Sequence, residues 1–309
     1  MPPRKRSRLA DRKKPAQKFK LGRKLVGLLI FFIILLLASF LLITRHGIWN
    51  KKDRLALAVN TNQNVTLLIF DPSAGTITSI NIPQNLEVEA SRQLGRWKIG
   101  SIWDLGRLEG YSGSLLAETI TKSLKFPTEA WANEQALGLV GEGLHPLVRS
   151  VFARYETNLT LGDRINLAIF SFSRKPGDRV ELALTDTSYV YQATLKDGVS
   201  GYILRSEMPS VLAAKVADSS ISSEGKIVSI KDQTANSQTA TQVGEIIQSL
   251  GAKLASIKKS DPQDIDCLVE GSASNTRQKI ASIFNCEVVN SSSSVDITIV
   301  LGKRFSDRF

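Results

Sequence analysis

Hydrophobic positions along the 309 residues fall into three patterns: one unbroken run, several alternating stretches and several helical stripes. The unbroken run is "LVGLLIFFIILLLASFLLI", Leu25 to Ile43, 19 residues without a charge. That is about the length needed to cross ~30 Å of hydrocarbon as a helix. Beyond it, "RLALAVN" (54–60) and "NVTLLIFD" (64–71) predict strands, the second so continuously apolar that both its faces should be covered. Asp71-Pro72-Ser73-Ala74-Gly75 has turn chemistry, and "TITSINI" (76–82) returns as the other arm of a hairpin. This strand stops at Pro83, and two neutral amides, Gln84 and Asn85, follow before apolar alternation resumes. A strand that ends in Pro and then presents polar side chains is a common way to build the lip of a site.

Residues 91–111 show no period and read as an irregular loop. A helix is expected over 112–126, capped by Ser112 or Ser114, with Leu115, Leu116, Thr119, Ile120, Ser123 and Leu124 along one stripe and Pro127 as its stop. A short strand is expected near 129–133 and a helix within 159–175, with Ile165, Ala168, Ile169 and Phe172 on one face. Residues 179–186 and 188–195 pattern as a hairpin, with a further strand at 200–204. Residues 217–225 are Ser-rich without apolar period and are expected to be a linker. The remainder reads strand (226–232), helix (239–251), strand (252–259), strand (264–271), helix (274–285), strand (295–302). That order, βαββαβ, predicts a small sheet with both helices packed on it. The class is mixed α/β (α+β) with a single N-terminal transmembrane helix. The expected divisions are 1–24, 25–44, 54–216, 217–225 and 226–305.

Charge sharpens the first pattern. The chain carries +11, but residues 1–24 hold eleven Lys and Arg against Asp11 alone, so the other 285 residues carry only +1. The basicity belongs to a tail, which removes most support for a nucleic-acid-binding domain. Cations on the N-terminal side of the apolar run place that side in the cytoplasm and the bulk of the chain outside. A cleaved signal peptide would have an apolar region of about 7–15 residues and a small-x-small cleavage site, and residues 44–49 offer none. Residues 44–53 then form a polar exit from the membrane, with Trp49 placed for the interface.

Candidate chemistry is sparse. His46 and His145, the latter in an expected turn, have no Cys, Asp or Glu set at metal-ligand spacing, and there is no nucleophile elbow or phosphate loop. The loop 91–111 is the exception. Arg92, Arg96, Lys98 and Arg107 could grip phosphates, and Trp97, Trp103 and Tyr111 could stack on sugars or touch acyl chains. The plain alternative is a solvated basic loop anchored by one Trp. Cys267 and Cys286 are brought to the same end of the C-terminal unit by a strand and a returning helix. An extracytoplasmic address permits a disulfide between them, and two small buried apolar side chains remain the other reading.

Taken together, "NVTLLIFDPSAGTITSINIPQNLEVEA … RWKIGSIWDLG … GSLLAETITKSL" resembles the opening half of a LytR-CpsA-Psr domain, over residues 54–135. "KIVSIKDQT … VGEIIQSLGAKLASI … IDCLVEG … KIASIFNCEVV … VDITIVLG" resembles the LytR C-terminal domain that often follows it, over 226–305. Residues 136–216 diverge. The resemblance implies transfer of a glycopolymer from a polyprenyl-pyrophosphate carrier to the cell wall, with arginines on the pyrophosphate and an Asp-held Mg²⁺. Carried over by position, the family's Arg-Asp after Ile-Pro falls on Gln84-Asn85, and its early acidic elements fall in the uncharged "NTNQN" (60–64). Its Lys-Ile-Asn keeps Lys98 but has Gly100 for Asn. Amides cannot neutralise a pyrophosphate. The expectation is therefore a catalytically silent, membrane-anchored envelope protein that binds polymer, carrier or other envelope proteins and needs no cofactor. One alternative is an active transferase using Mg²⁺ and the four cations of the loop; another is a regulator whose basic tail meets nucleic acid.

Overall fold

The computed structural model describes residues 31, 47–61, 64–141, 143–290 and 295–309. Apart from Phe31, the basic tail and the apolar run 25–43 lie outside these residues, as does His46. Among the described residues no helix is long and apolar enough to cross a membrane. From Gly47 onward the described residues form one compact unit.

That unit begins with β1 (Leu55–Asn60), β2 (Asn64–Asp71), β3 (Thr76–Pro83), β4 (Leu86–Glu89) and β5 (Arg96–Lys98). Helices α1 (Ile102–Leu108) and α2 (Ser114–Leu124) follow, then β6 (Ala130–Asn133), α3 (Leu144–Phe152), α4 (Leu161–Phe172) and β7 (Arg179–Ala183). Next come β8 (Val190–Thr194), β9 (Ser200–Leu204), α5 (Ser210–Val216) and α6 (Ser219–Glu224). The last part is β10 (Ile227–Gln233), α7 (Ser237–Ser249), β11 (Lys253–Lys259), β12 (Cys267–Gly271), α8 (Asn275–Phe284), β13 (Glu287–Val289), β14 (Ile297–Gly302) and α9 (Lys303–Arg308). Three sheets result, ordered β6-β1-β2-β3-β7, β5-β4-β9-β8 and β11-β10-β14-β12-β13.

The first sheet is a middle layer, which is why its strands alternate so little. Val65, Leu67 and Ile69 of β2 enter a core with Ile120 and Leu124 of α2. Leu68 and Phe70, one pleat out of phase, enter a second core with Val151 of α3 and Leu167 of α4. Successive side chains of a strand point to opposite faces, so a strand covered on both sides must be apolar throughout. Truncating such a residue, Leu67→Ala for instance, removes about 2–5 kcal/mol of packing and transfer free energy. The third sheet is lined on one face by Val228, Ile230, Ile297, Ile299 and Val269, under Val243 and Ile247 of α7 and Ile280 of α8.

Several expectations change. The loop 91–111 is largely regular, containing β5 and α1, and Ile99, Ile102, Trp103 and Leu105 are buried in its core-facing turns. Neither Ser112 nor Ser114 caps α2: its first turn starts at Gly113 without a side-chain cap, and the Ser114 hydroxyl donates to Tyr111 O. Residues 179–186 and 188–195 are not a hairpin. β7 pairs in parallel with β3, and β8 pairs instead with β9, each in a different sheet. His145 lies in α3, a helix the pattern did not reveal. Trp49 is not at an interface with solvent or lipid; it is buried, donates Nε1–H to Asp53 O at 2.8 Å and meets Phe170 edge-on at 5.8 Å. Residues 217–225 hold α6, capped by Asp218 and anchored by Ile221 in the third sheet's core. The βαββαβ order gains a short strand, β13, and a closing helix, α9.

Candidate functional site

Gln84 and Asn85 stand where the chain leaves the first sheet and enters the second. Backbone crowds them from both sides. Gly100 N donates to Gln84 O at 3.0 Å, and Tyr202 N donates to Asn85 O at 3.1 Å. The Asn85 amide donates to Ser200 O at 3.2 Å. A Cβ on Gly100 would sit 2.8 Å from Gln84 Cβ, and one on Gly201 would sit 2.6 Å from Asn85 O, so both glycines are needed for this approach. Gly100, where the resemblance expects Asn, thus serves the packing of a corner.

The four cations of 91–111 each lie within ion-pair distance of a different carboxylate. Arg92 donates Nε–H and Nη2–H to the two oxygens of Glu118, both at 2.8 Å, and its guanidinium lies 3.9 Å over the Tyr111 ring. Burial pulls the Arg92 pKa down, but the bond and charge of Glu118 outweigh it and leave it above the ordinary value. Arg96 pairs with Glu87 at 3.1 Å, Lys98 with Asp197 at 2.6 Å, and Arg107 with Glu156 at 3.9 Å. The Lys98 ammonium, with the Val199 amide, holds the Asp197 carboxyl below its ordinary range. Arg96 lines a groove of about 410 Å³ with Glu87, Glu89, Lys122, Lys125 and Glu245. Arg92 lines a different groove of about 400 Å³ with Glu118, Glu129, Trp131, Asn158 and Arg308. Lys98 and Arg107 line neither. The four do not converge.

The aromatic residues of the same segment also separate. Trp103 is buried edge-on to Trp131 at 5.8 Å, Tyr111 lies under Arg92, and Trp97 is half exposed with Nε1–H donated to Leu94 O at 2.8 Å. Later arginines do structural work at helix ends. Arg164 donates to Ala153 O at 2.9 Å beyond α3, and Arg179 donates to Ser171 O at 3.1 Å near the end of α4, where cations suit the exposed carbonyls.

No group of three or more His, Cys, Asp or Glu among the described residues is placed to hold a metal ion. Asp71, on the early hairpin, is turned into its own bend, where Oδ1 accepts from Ser73 N, Ser73 Oγ and Ala74 N.

The sequence gives no sign of the polar seam between the first sheet's layers and the third sheet's unit. Lys279 of α8 ion-pairs with the buried carboxylate of Glu129 and donates to Arg54 O. Glu129 also accepts from Ala56 N at 3.1 Å, and Asp218 accepts from Arg54 N at 3.1 Å. Arg92 N, in left-handed backbone, donates to Arg308 O at 3.1 Å. Cys267 and Cys286 are bonded, and Arg308 donates to Asp266 and to Phe284 O beside them. Each seam residue is an ordinary exposed-type side chain in the sequence; only the fold gives it a partner.

No family model matches the sequence, and no curated protein does. Solved structures of LytR-CPS2A-Psr proteins are among those similar to this chain. Bacillus subtilis TagT is 17% identical over 54% of this chain and 90% of its own, with a TM-score of 0.37. The family protein YwtF (TagT) with bound octaprenyl pyrophosphate lipid is 16% identical over 52% and 88%, with a TM-score of 0.36. B. subtilis TagV is 9% identical over 66% and 100%, with a TM-score of 0.38. At TM-scores below 0.5 the functional reading is left to this chain's own residues.

Proposed function

We propose that this is a membrane-anchored, extracytoplasmic relative of the LytR-CpsA-Psr proteins that does not transfer a glycopolymer and instead acts as a binding or scaffolding element of the cell envelope. Residues 1–24 are the cytoplasmic tail, 25–43 the anchor, and the third sheet with α7 and α8 a LytR C-terminal-like unit. One observation carries the reading: each of Arg92, Arg96, Lys98 and Arg107 faces a carboxylate of its own, and neither of the two grooves takes more than one of the four. A pyrophosphate needs several cations at one point, each charge-assisted bond contributing about 1.5–3 kcal/mol. Recruiting these four would require breaking four pairs and moving a strand, β5, and a helix, α1, as well as the segment that carries Arg92. The amides Gln84 and Asn85 at the corner add no charge.

The test is a reconstituted reaction of the full-length protein in proteoliposomes with Mg²⁺, a polyprenyl-pyrophosphate-linked glycopolymer and peptidoglycan. The expected result is no transfer above a protein-free blank. Transfer that disappears in Lys98→Ala would replace this reading with the active transferase.

A further inference from the structure

Two neighbouring helices turn apolar side chains away from the core. In α3, Leu144, Val148 and Phe152 recur every four residues; in α4, Leu161, Ile169 and Phe172 recur at helical spacing beside Ile165, which is half-buried against the core. An apolar helical stripe is ordinarily the packed one. Here the packed faces are others: Ser150 and Val151 of α3, and Gly162, Asp163, Leu167, Ala168 and Ser171 of α4. Leu144, Val148, Phe152, Ile169 and Phe172 range from 53% exposed at Val148 to 69% at Phe172. Single exposed hydrophobics need no explanation, but two such stripes on helices in contact with each other do.

The chain's own path says what covers it. Ile48 N and Trp49 N donate to the two oxygens of Asp163, each at 3.1 Å, and Asp163 is the third residue of α4. A Cβ on Gly47 would fall 2.2 Å from Asp163 Oδ1, so the incoming backbone is seated directly on the first turn of α4. Gly47 lies only four positions after Ile43, the last residue of the apolar run. Four residues reach at most about 14 Å, less than the roughly 18 Å length of a twelve-residue helix. If 25–43 spans a bilayer, the first turn of α4 lies within that reach of its surface. Charge agrees with such a neighbour. Residues 144–175 hold Arg149, Arg154, Arg164, Arg174 and Lys175 against Glu156 and Asp163, and Asp163 is buried. Lys51 and Lys52 add exposed cations beside the entry point. Basic residues around a broad apolar stripe are the composition of helices that lie in an anionic membrane interface.

We propose that the outward faces of α3 and α4 rest in the interface of the membrane that holds the anchor, with Leu144, Val148, Phe152, Leu161, Ile169 and Phe172 below the headgroups. The inference rests on the anchor reading above but not on the presence or absence of transfer. It gives the protein a second membrane contact, which fixes the orientation of the extracytoplasmic unit instead of leaving it to swing on its stalk.

The two cysteines of the chain are bonded to each other, so one added cysteine can be labelled selectively. Full-length Val148→Cys, Ile169→Cys and Phe172→Cys carry an environment-sensitive fluorophore, with Val211→Cys and Ile257→Cys as exposed apolar controls on α5 and β11. The proteins are reconstituted in phosphatidylglycerol-phosphatidylethanolamine vesicles, and all five sites are exposed so that labelling spares the fold. Labels at 148, 169 and 172 are expected to shift to the blue and to be quenched by lipids spin-labelled near the headgroup, while 211 and 257 stay unshifted and unquenched. Vesicle flotation separates the two premises. Protein that floats with unquenched labels overturns the surface contact alone; protein that does not float overturns the anchor and the contact with it. A blue shift without lipid quenching, or one lost when protein is diluted to one copy per vesicle, identifies a second copy as the occupant and overturns the proposal.

Discussion

Lys279 shows how much can hang on one side chain. Its ammonium lies between the buried carboxylate of Glu129 and the Arg54 carbonyl, with only 10% of the side chain exposed. Removing one partner of a buried ion pair leaves the other as an uncompensated charge, at a cost of about 3–5 kcal/mol. Lys279→Met should therefore lower the thermal midpoint by several degrees, and adding Glu129→Gln should restore most of the loss. A Lys279→Met protein that melts like the parent would show that the seam contributes nothing. This pair was not legible beforehand. Lys279 sits in "TRQKIASIF", where a lysine between two apolar turns reads as solvent-facing, and Glu129 follows Pro127-Thr128 with no hint of burial. Residue identity does expose what is lacking: the neutral Gln84-Asn85 pair is visible in the sequence itself. What the structure adds is that the same corner is filled by backbone at Gly100 and Gly201.

Whole elements were legible when their period had one meaning. β2 and α2 fall near where alternation and stripe place them, because a strand covered on both faces and a helix packed along one admit few other readings. The stripe of α4 was legible as a stripe, but period alone does not say how much of it meets the core: Ile165 and Ala168 do, with Leu167 and Ser171 beside them, while Ile169 and Phe172 are exposed. β7 and β8 misled for a related reason. Two alternating segments close in sequence look like a hairpin, and only the pairing of β7 with β3 shows that the chain changes sheets between them. The Ser-rich stretch 217–225 misled because, apart from Ile221, its anchors are polar. Glu224 of α6 accepts from Thr276 N at 2.8 Å and Asn275 N at 3.1 Å, at the start of α8. Burial raises the Glu224 pKa, but the Thr276 hydroxyl and these amides outweigh it and hold it below the ordinary 4.5. A carboxyl depressed in the folded state stabilises above its unfolded pKa, and that contribution fades as pH falls through the folded value. Glu224→Gln should thus destabilise the protein near neutrality and flatten the decline in thermal midpoint below about pH 4.5, as read in a melting series from pH 7 to 3. Parallel pH profiles for variant and parent would remove α6 from the acid response.

The two halves of Gly47–Phe309 are joined by α9 as well as by Lys279. Arg308 reaches Asp266, Phe284 O and, through its own carbonyl, Arg92 N, and Phe305 and Phe309 stack on each other and meet Phe284 edge-on. The Cys267–Cys286 bridge lies under this clasp and closes a loop with a sequence separation of 19. Chain entropy for a loop of that size corresponds to about 3 kcal/mol. Reduction should lower the thermal midpoint of the intact protein and loosen the clasp, seen as faster amide exchange in 303–309; an unchanged midpoint would mean the bridge adds no stability. Across the unit, cations are placed to hold elements together: Arg92 at the seam, Arg164 and Arg179 at helix ends, Lys98 between the β5 strand and the turn at Asp197. Phosphate recognition would need them assembled elsewhere. The direct test is equilibrium binding of a polyprenyl pyrophosphate to the full-length protein in nanodiscs, compared with Lys98→Ala and Arg107→Ala. If the cations are committed to their own carboxylates, the lipid binds no better than a polyprenyl alcohol and neither substitution changes it. Saturable binding that prefers the pyrophosphate and is lost in both variants would contradict that commitment.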